Sequence, residues 1–270
     1  MSVLHLSRAH WSCAPALVLA LTGCGSSGQY ALPFMPAPDI YAEEIVDPFA
    51  DFDPIEIADG NAGMLYVTNR ERIEDSEAGA AYNSSRGYVL RAGVARVRLG
   101  EGEFTWEEAR RISLLKNRTE KFPIQVTQIT EFGVMPESIN SLQDPEEWDA
   151  DPAATDELVR RVQWQLDRSR VKDITIYVHG YKVTFDNPVL VSAELWHYLG
   201  YEGSFISFSW PATPKTRAYF KDSASASFSG AALRKLLTML ADRTTVEHIN
   251  IIGYSAGTRM VVNALDQLNL

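Results

Sequence analysis

The feature that most constrains this chain is a regular alternation of apolar runs and helical segments over residues 173–270. Three short apolar runs predict buried strands, at residues 174–178, 204–210 and 249–253. Apolar residues at helical spacing follow each run and predict helices over residues 188–199, 223–241 and 258–268. We expect Asp222 to cap the second of these helices. The alternation predicts an α/β fold whose mostly parallel central sheet is covered by helices on both faces.

The region before this alternation is richer in predicted strands than in helices. Its predicted strands are residues 64–68, 88–99 and 124–129, and its predicted helices are residues 105–115 and 156–168. We therefore expect a strand-rich part over residues 61–150 and an α/β core over residues 151–270. Both belong to one folded domain in this interpretation.

Composition excludes several classes of protein. The 270 residues are 46% hydrophobic and 22% charged, which is typical of a globular protein. The chain has 25 basic and 35 acidic residues, and the net charge of −10 argues against a nucleic-acid-binding protein. Cys13 and Cys24 are the only cysteines, which excludes a disulfide framework and a cysteine-rich metal site. No glycine-rich phosphate loop or Walker lysine is present, so we expect neither a nucleotide cofactor nor a metal.

The first residues have the layout of an export signal. Residues 1–23 begin with a segment that carries Arg8 and no acid, and a short apolar stretch follows. Leu21-Thr22-Gly23-Cys24 resembles the bacterial lipobox, which implies that Cys24 is lipidated and anchors the protein in a membrane. Because Gly25 rather than aspartate follows, we expect a bacterial cell-envelope protein on the outer membrane, facing the periplasm. The alternative is an ordinary cleaved signal with an incidental cysteine.

A proline-containing acidic segment separates this signal from the folded part. Residues 24–60 contain five prolines and eight acidic residues, and the next basic residue is Arg70. High charge without regular apolar repeats predicts a solvated tether. An acidic tail that binds a partner is the alternative.

The end of the last predicted strand carries a G-x-S-x-G motif. Gly253-Tyr254-Ser255-Ala256-Gly257 lies between that strand and an apolar-striped helix, which is the context of a nucleophile elbow. A turn this tight exposes the Ser255 hydroxyl at the helix N-terminus, where unpaired N–H groups favour negative charge. The motif therefore predicts Ser255 as a catalytic nucleophile. A strand–turn–helix with small residues for packing is the alternative.

A second turn, two strands earlier in the chain, complements this motif. Val178-His179-Gly180-Tyr181 ends a central strand, and such a turn can direct backbone N–H groups at a developing oxyanion. We assign the oxyanion donors to the backbone N–H groups of Tyr181 and Ala256. For His179 we expect a bracing role in the turn, with a catalytic role as the alternative.

These pieces together resemble the alpha/beta-hydrolase group called DUF900, a domain of unknown function. The matching residues lie in order along the chain and comprise Tyr66-Val67-Thr68-Asn69-Arg70, Val178-His179-Gly180-Tyr181, Phe185, Phe208-Ser209-Trp210-Pro211, Tyr219, Asp222, Ser223 and the motif around Ser255. The family commonly has histidine and methionine beside its nucleophile, where this chain has Tyr254 and Ala256. The resemblance implies an alpha/beta-hydrolase fold and serine hydrolase chemistry, with natural substrates that are poorly defined. Our own hypothesis is the hydrolysis of a small ester or acyl substrate. We expect Trp210 and Tyr254 to contact that substrate.

The sequence does not supply a complete catalytic triad. In this fold the acid and the base follow the nucleophile, but no histidine follows Ser255. Asp266 is the one acid after it, roughly 16 Å further along a helix. We therefore expect the fold to be truncated at its C-terminus, with the catalytic Asp and His beyond residue 270. The alternative is a natural short form, a non-catalytic envelope lipoprotein that acts as a binding or structural module.

The lipobox gives a direct test of anchoring. Cys24→Ala should abolish incorporation of labelled palmitate in a bacterial host, because the thiol that carries the lipid is removed. Cys13→Ala is the matched control and should leave incorporation intact. Equal labelling of both variants would contradict the assignment of Cys24.

Overall fold

The central sheet is the frame on which every other element is built. The computed structural model describes residues 30–41, 63–73, 81–100, 104–140 and 145–268. Seven strands are present in this part of the chain. They are β1 (Ala31–Pro33), β2 (Met64–Ile73), β3 (Ala81–Leu99), β4 (Pro123–Val134), β5 (Asp173–Val178), β6 (Ser204–Ser209) and β7 (His248–Gly253).

The sheet combines an antiparallel half with a parallel core. Its strand order is β1-β4-β3-β2-β6-β5-β7. The β2, β6, β5 and β7 strands are parallel, whereas the β1, β4 and β3 strands run antiparallel to their neighbours. The predicted α/β fold with a mostly parallel core sheet is confirmed, and it is consistent with the alpha/beta-hydrolase fold.

Five helices of the described residues connect and cover these strands. They are α1 (Trp106–Ser113), α2 (Pro152–Arg168), α3 (Asp186–Tyr198), α4 (Tyr219–Arg243) and α5 (Ala256–Asp266). The first begins with a capping box in which Thr105 and Glu108 satisfy each other's backbone N–H groups. The second begins at Pro152, with the Asp151 carboxylate as its cap. None of these helices combines the length and the apolarity that a membrane span requires.

The side chains of each core strand alternate between two apolar layers. Leu65 and Val67 of β2 join the layer formed with α2, α4 and α5, whereas Met64 and Tyr66 join the layer formed with α3. This period of two follows from the pleat of the strand. Helices therefore cover both faces of the sheet, as the alternation of the sequence predicts.

Helix α4 begins earlier than predicted. Its first residue is Tyr219, so Asp222 lies within the first turn and is not the N-cap. The Asp222 side chain is fully buried and accepts hydrogen bonds from the backbone N–H groups of Thr213 and Lys182. The cap prediction was wrong because the carboxylate binds two neighbouring loops instead of the amino end of its own helix.

Part of the segment expected to be a tether packs against the folded domain. Phe34 stacks on Tyr198, and its ring lies 4.5 Å from the Arg118 guanidinium carbon. Arg118 also donates to the backbone carbonyls of Phe34 and Met35, at 2.7 and 2.8 Å. Residues 30–41 are therefore held by apolar packing and backbone hydrogen bonds, unlike the solvated tether that their composition suggested. The signal segment, Cys24 and the remaining tether lie outside the described residues.

A buried carboxyl lies under this packed segment. The Glu194 side chain on α3 is buried and accepts the backbone N–H of Met35 at 2.6 Å. Burial raises the pKa of Glu194 from 4.5 to about 7, although the Met35 hydrogen bond and the Arg118 charge oppose the shift. Because the unfolded chain releases this proton at lower pH, Glu194 increasingly destabilises the folded state between pH 4.5 and about 7.

Replacing this carboxyl should change how stability depends on pH. Relative to the wild type, Glu194→Gln should gain up to about 3 kcal/mol in the free energy of unfolding at pH 8 and little at pH 4.5. Denaturant titrations at several pH values measure the difference. Glu247→Gln removes an exposed carboxylate and serves as the control. A gain from Glu194→Gln that is independent of pH would contradict the shifted pKa.

Candidate active site

A strained serine lies between the last strand and the last described helix. Ser255 lies between β7 and α5 and has φ 53° and ψ −118°. Residues other than glycine rarely adopt this backbone conformation. Its side chain is exposed to solvent. The G-x-S-x-G motif therefore forms the sharp strand-to-helix turn that a nucleophile elbow requires.

Space requires glycine at position 257 of the motif, and Gly253 is closely packed. A Cβ atom on Gly257 would lie 2.4 Å from the carbonyl oxygen of Val178 and 2.5 Å from that of His179. A Cβ atom on Gly253 would lie 3.0 Å from the Cα atom of Thr258. Any side chain at Gly257 would push the helix away from the end of β5. Glycine at position 257 thus lets the start of α5 pack closely against the end of β5.

The turn after β5 lies directly beside the nucleophile candidate. A Cβ atom on Gly180 would lie 3.1 Å from the Ser255 Cβ atom and 3.1 Å from the Tyr254 ring. The backbone N–H of Tyr254 donates to the Val178 carbonyl at 2.9 Å and fixes the two turns together. The structure therefore brings together the two motifs that the sequence analysis singled out.

Two backbone N–H groups near Ser255 remain unpaired within the described part of the chain. Tyr181 follows Gly180, and Ala256 is the first residue of α5. No described residue accepts a hydrogen bond from the backbone N–H of either one. Free donors of this kind, in a turn and at a helix N-terminus, attract negative charge.

His179 braces the turn from inside the protein. Its ring is buried and stacks on Trp210, with the ring centroids 4.9 Å apart and the planes 2° from parallel. Its nitrogens lie 2.6 Å from the Gly180 carbonyl and 3.1 Å from the Trp210 carbonyl. Burial, together with the positive charge of Arg70, lowers the pKa of His179 to about 3. The ring is therefore neutral near pH 7 and has a structural role.

Trp210 has a different position from the one expected. It is fully buried, and its indole N–H donates to the His179 carbonyl at 2.7 Å. A side chain in this position cannot contact a substrate, so the expected binding role of Trp210 is corrected to support of the His179 turn. Tyr254, in contrast, is 65% exposed beside Ser255.

A buried arginine connects the loops behind the site. The Arg70 guanidinium donates to the Ser209 hydroxyl at 3.0 Å and to the carbonyls of Ala212 and Val183 at 3.1 and 3.2 Å. Burial lowers the pKa of Arg70 to about 9, while the charges of Asp222 and Asp186 oppose the shift. These contacts hold the segments after β5 and β6 together. Sequence reasoning noted Arg70 only through the family resemblance, because nothing in its local pattern predicts burial.

The described histidines do not complete a triad with Ser255. His179 is buried in its stack, and His197 packs against Phe34 and Tyr198 on the α3 side. His248 pairs with Asp173 at the amino end of β7, opposite the edge that carries Ser255. Among the described residues there is also no group of three or more metal-binding side chains.

The sheet and this pair of turns are consistent with an alpha/beta-hydrolase fold. Residues 154–270, which include both turns, match the family model described as alpha/beta hydrolase of unknown function (DUF900). No curated protein and no solved structure matched the chain.

The strain at Ser255 can be measured directly. Ser255→Gly should raise the free energy of unfolding by about 1 kcal/mol, because glycine adopts positive φ without strain. Ser255→Ala keeps the strained backbone and should show no such gain. Ser227→Gly is the matched control within α4 and should lose about 0.5 kcal/mol. A loss of stability in Ser255→Gly similar to that of Ser227→Gly would contradict the elbow geometry.

Proposed function

We propose that this protein is a serine hydrolase, an esterase or acyl hydrolase with Ser255 as its nucleophile. One observation supports this proposal above all others. The exposed and strained Ser255 lies in the turn after β7, beside the turn after β5, and the backbone N–H groups of Tyr181 and Ala256 in these turns have no partner among the described residues. A packing turn would have no reason to leave both donors unpaired beside a hydroxyl.

The proposed reaction follows from these positions. The Ser255 oxygen attacks the carbonyl carbon of an ester, and the oxyanion that develops is stabilised by the N–H groups of Tyr181 and Ala256. Loss of the alcohol leaves an acyl group on Ser255, and attack by water releases the acid. The attacking hydroxyl must transfer its proton to a base. The base then returns this proton to the departing alcohol oxygen.

We also propose that the protein acts at the bacterial cell envelope. The lipobox-like sequence at Cys24 supports a lipid anchor, and Gly25 supports the outer membrane as its location. The substrate in this view is a small ester or acyl compound in the periplasm. No cofactor is required for this chemistry.

A second candidate function is a non-catalytic envelope module. The observation in its favour is that no described histidine lies beside Ser255. In this alternative the exposed edge of the site would bind a ligand without turning it over, and Ser255 would have no unusual reactivity.

Fluorophosphonate labelling distinguishes the two candidates. We expect the intact gene product to be phosphonylated at Ser255, because such probes report serines whose nucleophilicity is raised. Intact-protein mass spectrometry and peptide mapping identify the modified residue. The Ser255→Ala variant should not be labelled, whereas Ser227→Ala, which removes an exposed serine on α4, should be labelled normally. A failure of the wild type to label, or equal labelling of Ser255→Ala, would favour the non-catalytic module.

A further inference from the structure

The segment after β6 places positive charges and exposed aromatic rings at the edge that carries Ser255. This basic aromatic segment, residues 214–221, contains three cations and two aromatic residues, which are Lys215, Arg217, Lys221, Tyr219 and Phe220. Tyr219 is 48% exposed and Phe220 is 86% exposed, and the three cations are exposed as well. An aromatic side chain as exposed as Phe220 contributes little to the fold and is available for a partner.

Within the described part of the chain, the three positive charges of the segment have no acidic partner. The nearest acid in the sequence, Asp222, is fully buried, and its carboxylate binds the backbone N–H groups of Thr213 and Lys182. A protein with a net charge of −10 thus presents a local positive patch here.

Aromatic contacts connect this segment to the candidate active site. The Tyr219 ring meets the Tyr181 ring edge to face, with centroids 5.7 Å apart, and the Phe220 ring lies 5.8 Å from that of Tyr219. Tyr181 carries one of the proposed oxyanion donors, and the preceding residue, Gly180, lies beside Ser255. A surface that binds the segment therefore lies at the same edge of the sheet as Ser255.

Exposed aromatic rings flanked by lysine and arginine are the chemistry of a membrane interface. Tyrosine and phenylalanine partition into the headgroup region, while each nearby cation adds attraction to anionic lipids. A nucleic acid offers similar charges, but three cations supply few of the phosphate contacts on which such binding depends, whereas a lipid surface also accommodates the exposed apolar rings. The observations therefore favour a lipid surface.

We propose that residues 214–221 bind an anionic lipid surface and present Ser255 to ester substrates that lie in it. The binding part of this proposal stands on the exposed rings and cations. The substrate part rests on the proposed serine hydrolase function, and the experiment below separates the two.

Vesicle co-sedimentation tests the binding part. The full chain with Cys24→Ala, which lacks the lipid acceptor, is incubated with vesicles of phosphatidylglycerol and phosphatidylcholine in equal amounts, or of phosphatidylcholine alone. We expect binding to the anionic vesicles that is about tenfold tighter than to the neutral ones and falls with salt. Phe220→Ser and the double variant Lys215→Gln with Arg217→Gln should each weaken binding about tenfold.

Matched variants elsewhere on the surface provide the control. Tyr88→Ser removes a ring that is 61% exposed, and Lys121→Gln removes an exposed cation, so both should bind as tightly as the parent. Equal binding of all variants, or no preference for anionic vesicles, would overturn the proposal. Complete competition by glycerol phosphate in solution would also overturn it, because it would indicate an anion site instead of an interface.

Two fluorophosphonate probes test the substrate part. One is a small probe dissolved in buffer, and the other has a long acyl chain embedded in the anionic vesicles. Phe220→Ser should lower the ratio of embedded-probe to dissolved-probe labelling about tenfold, whereas Tyr88→Ser should not change it. An unchanged ratio in Phe220→Ser would overturn the substrate part alone. Absence of labelling by both probes would overturn the proposed hydrolase function. The vesicle binding of Ser255→Ala would still show whether residues 214–221 bind a lipid surface.

Discussion

The close contact between the turn after β5 and the turn after β7 is the constraint on which the site depends. Gly257 lies so near the carbonyls of Val178 and His179 that no side chain fits there, and a Cβ atom on Gly180 would lie 3.1 Å from the Ser255 Cβ atom. Parallel pairing of β5 with β7 places both strand ends at one edge of the sheet. The strain at Ser255 is maintained because packing around these glycines fixes the backbone on both sides.

A buried polar network keeps this contact in place from behind. The rings of His179 and Trp210 stack, the Trp210 indole N–H donates to the His179 carbonyl, and the His179 Nε2 atom lies 3.1 Å from the Trp210 carbonyl oxygen. Arg70 fixes the loop after β6, and Asp222 joins that loop to Lys182 of the turn after β5. Such groups are costly to bury without partners. Their hydrogen bonds therefore help to fix the two turns, so the position of the turns depends on buried residues outside the two motifs as well as on the motifs themselves.

Much of the fold could be predicted from the sequence, because the periodicity of the apolar residues reports which side of an element is buried. The strands at 174–178 and 249–253 and the helix at 258–268 were found in this way, within a few residues of β5, β7 and α5. The positions of Trp210, Asp222 and residues 30–41 were predicted wrongly, since local composition carries no information about long-range partners. Trp210 packs on a histidine 31 residues earlier in the chain, and Phe34 packs on a tyrosine from α3.

The most direct test of the central claim is a crystal structure of the protein after reaction with a small fluorophosphonate. We expect a phosphorus atom bonded to the Ser255 hydroxyl oxygen, with a phosphoryl oxygen within about 3 Å of the backbone nitrogens of both Tyr181 and Ala256. A phosphoryl oxygen directed into solvent, with both nitrogens still unpaired, would contradict the claim that these two turns form an oxyanion site.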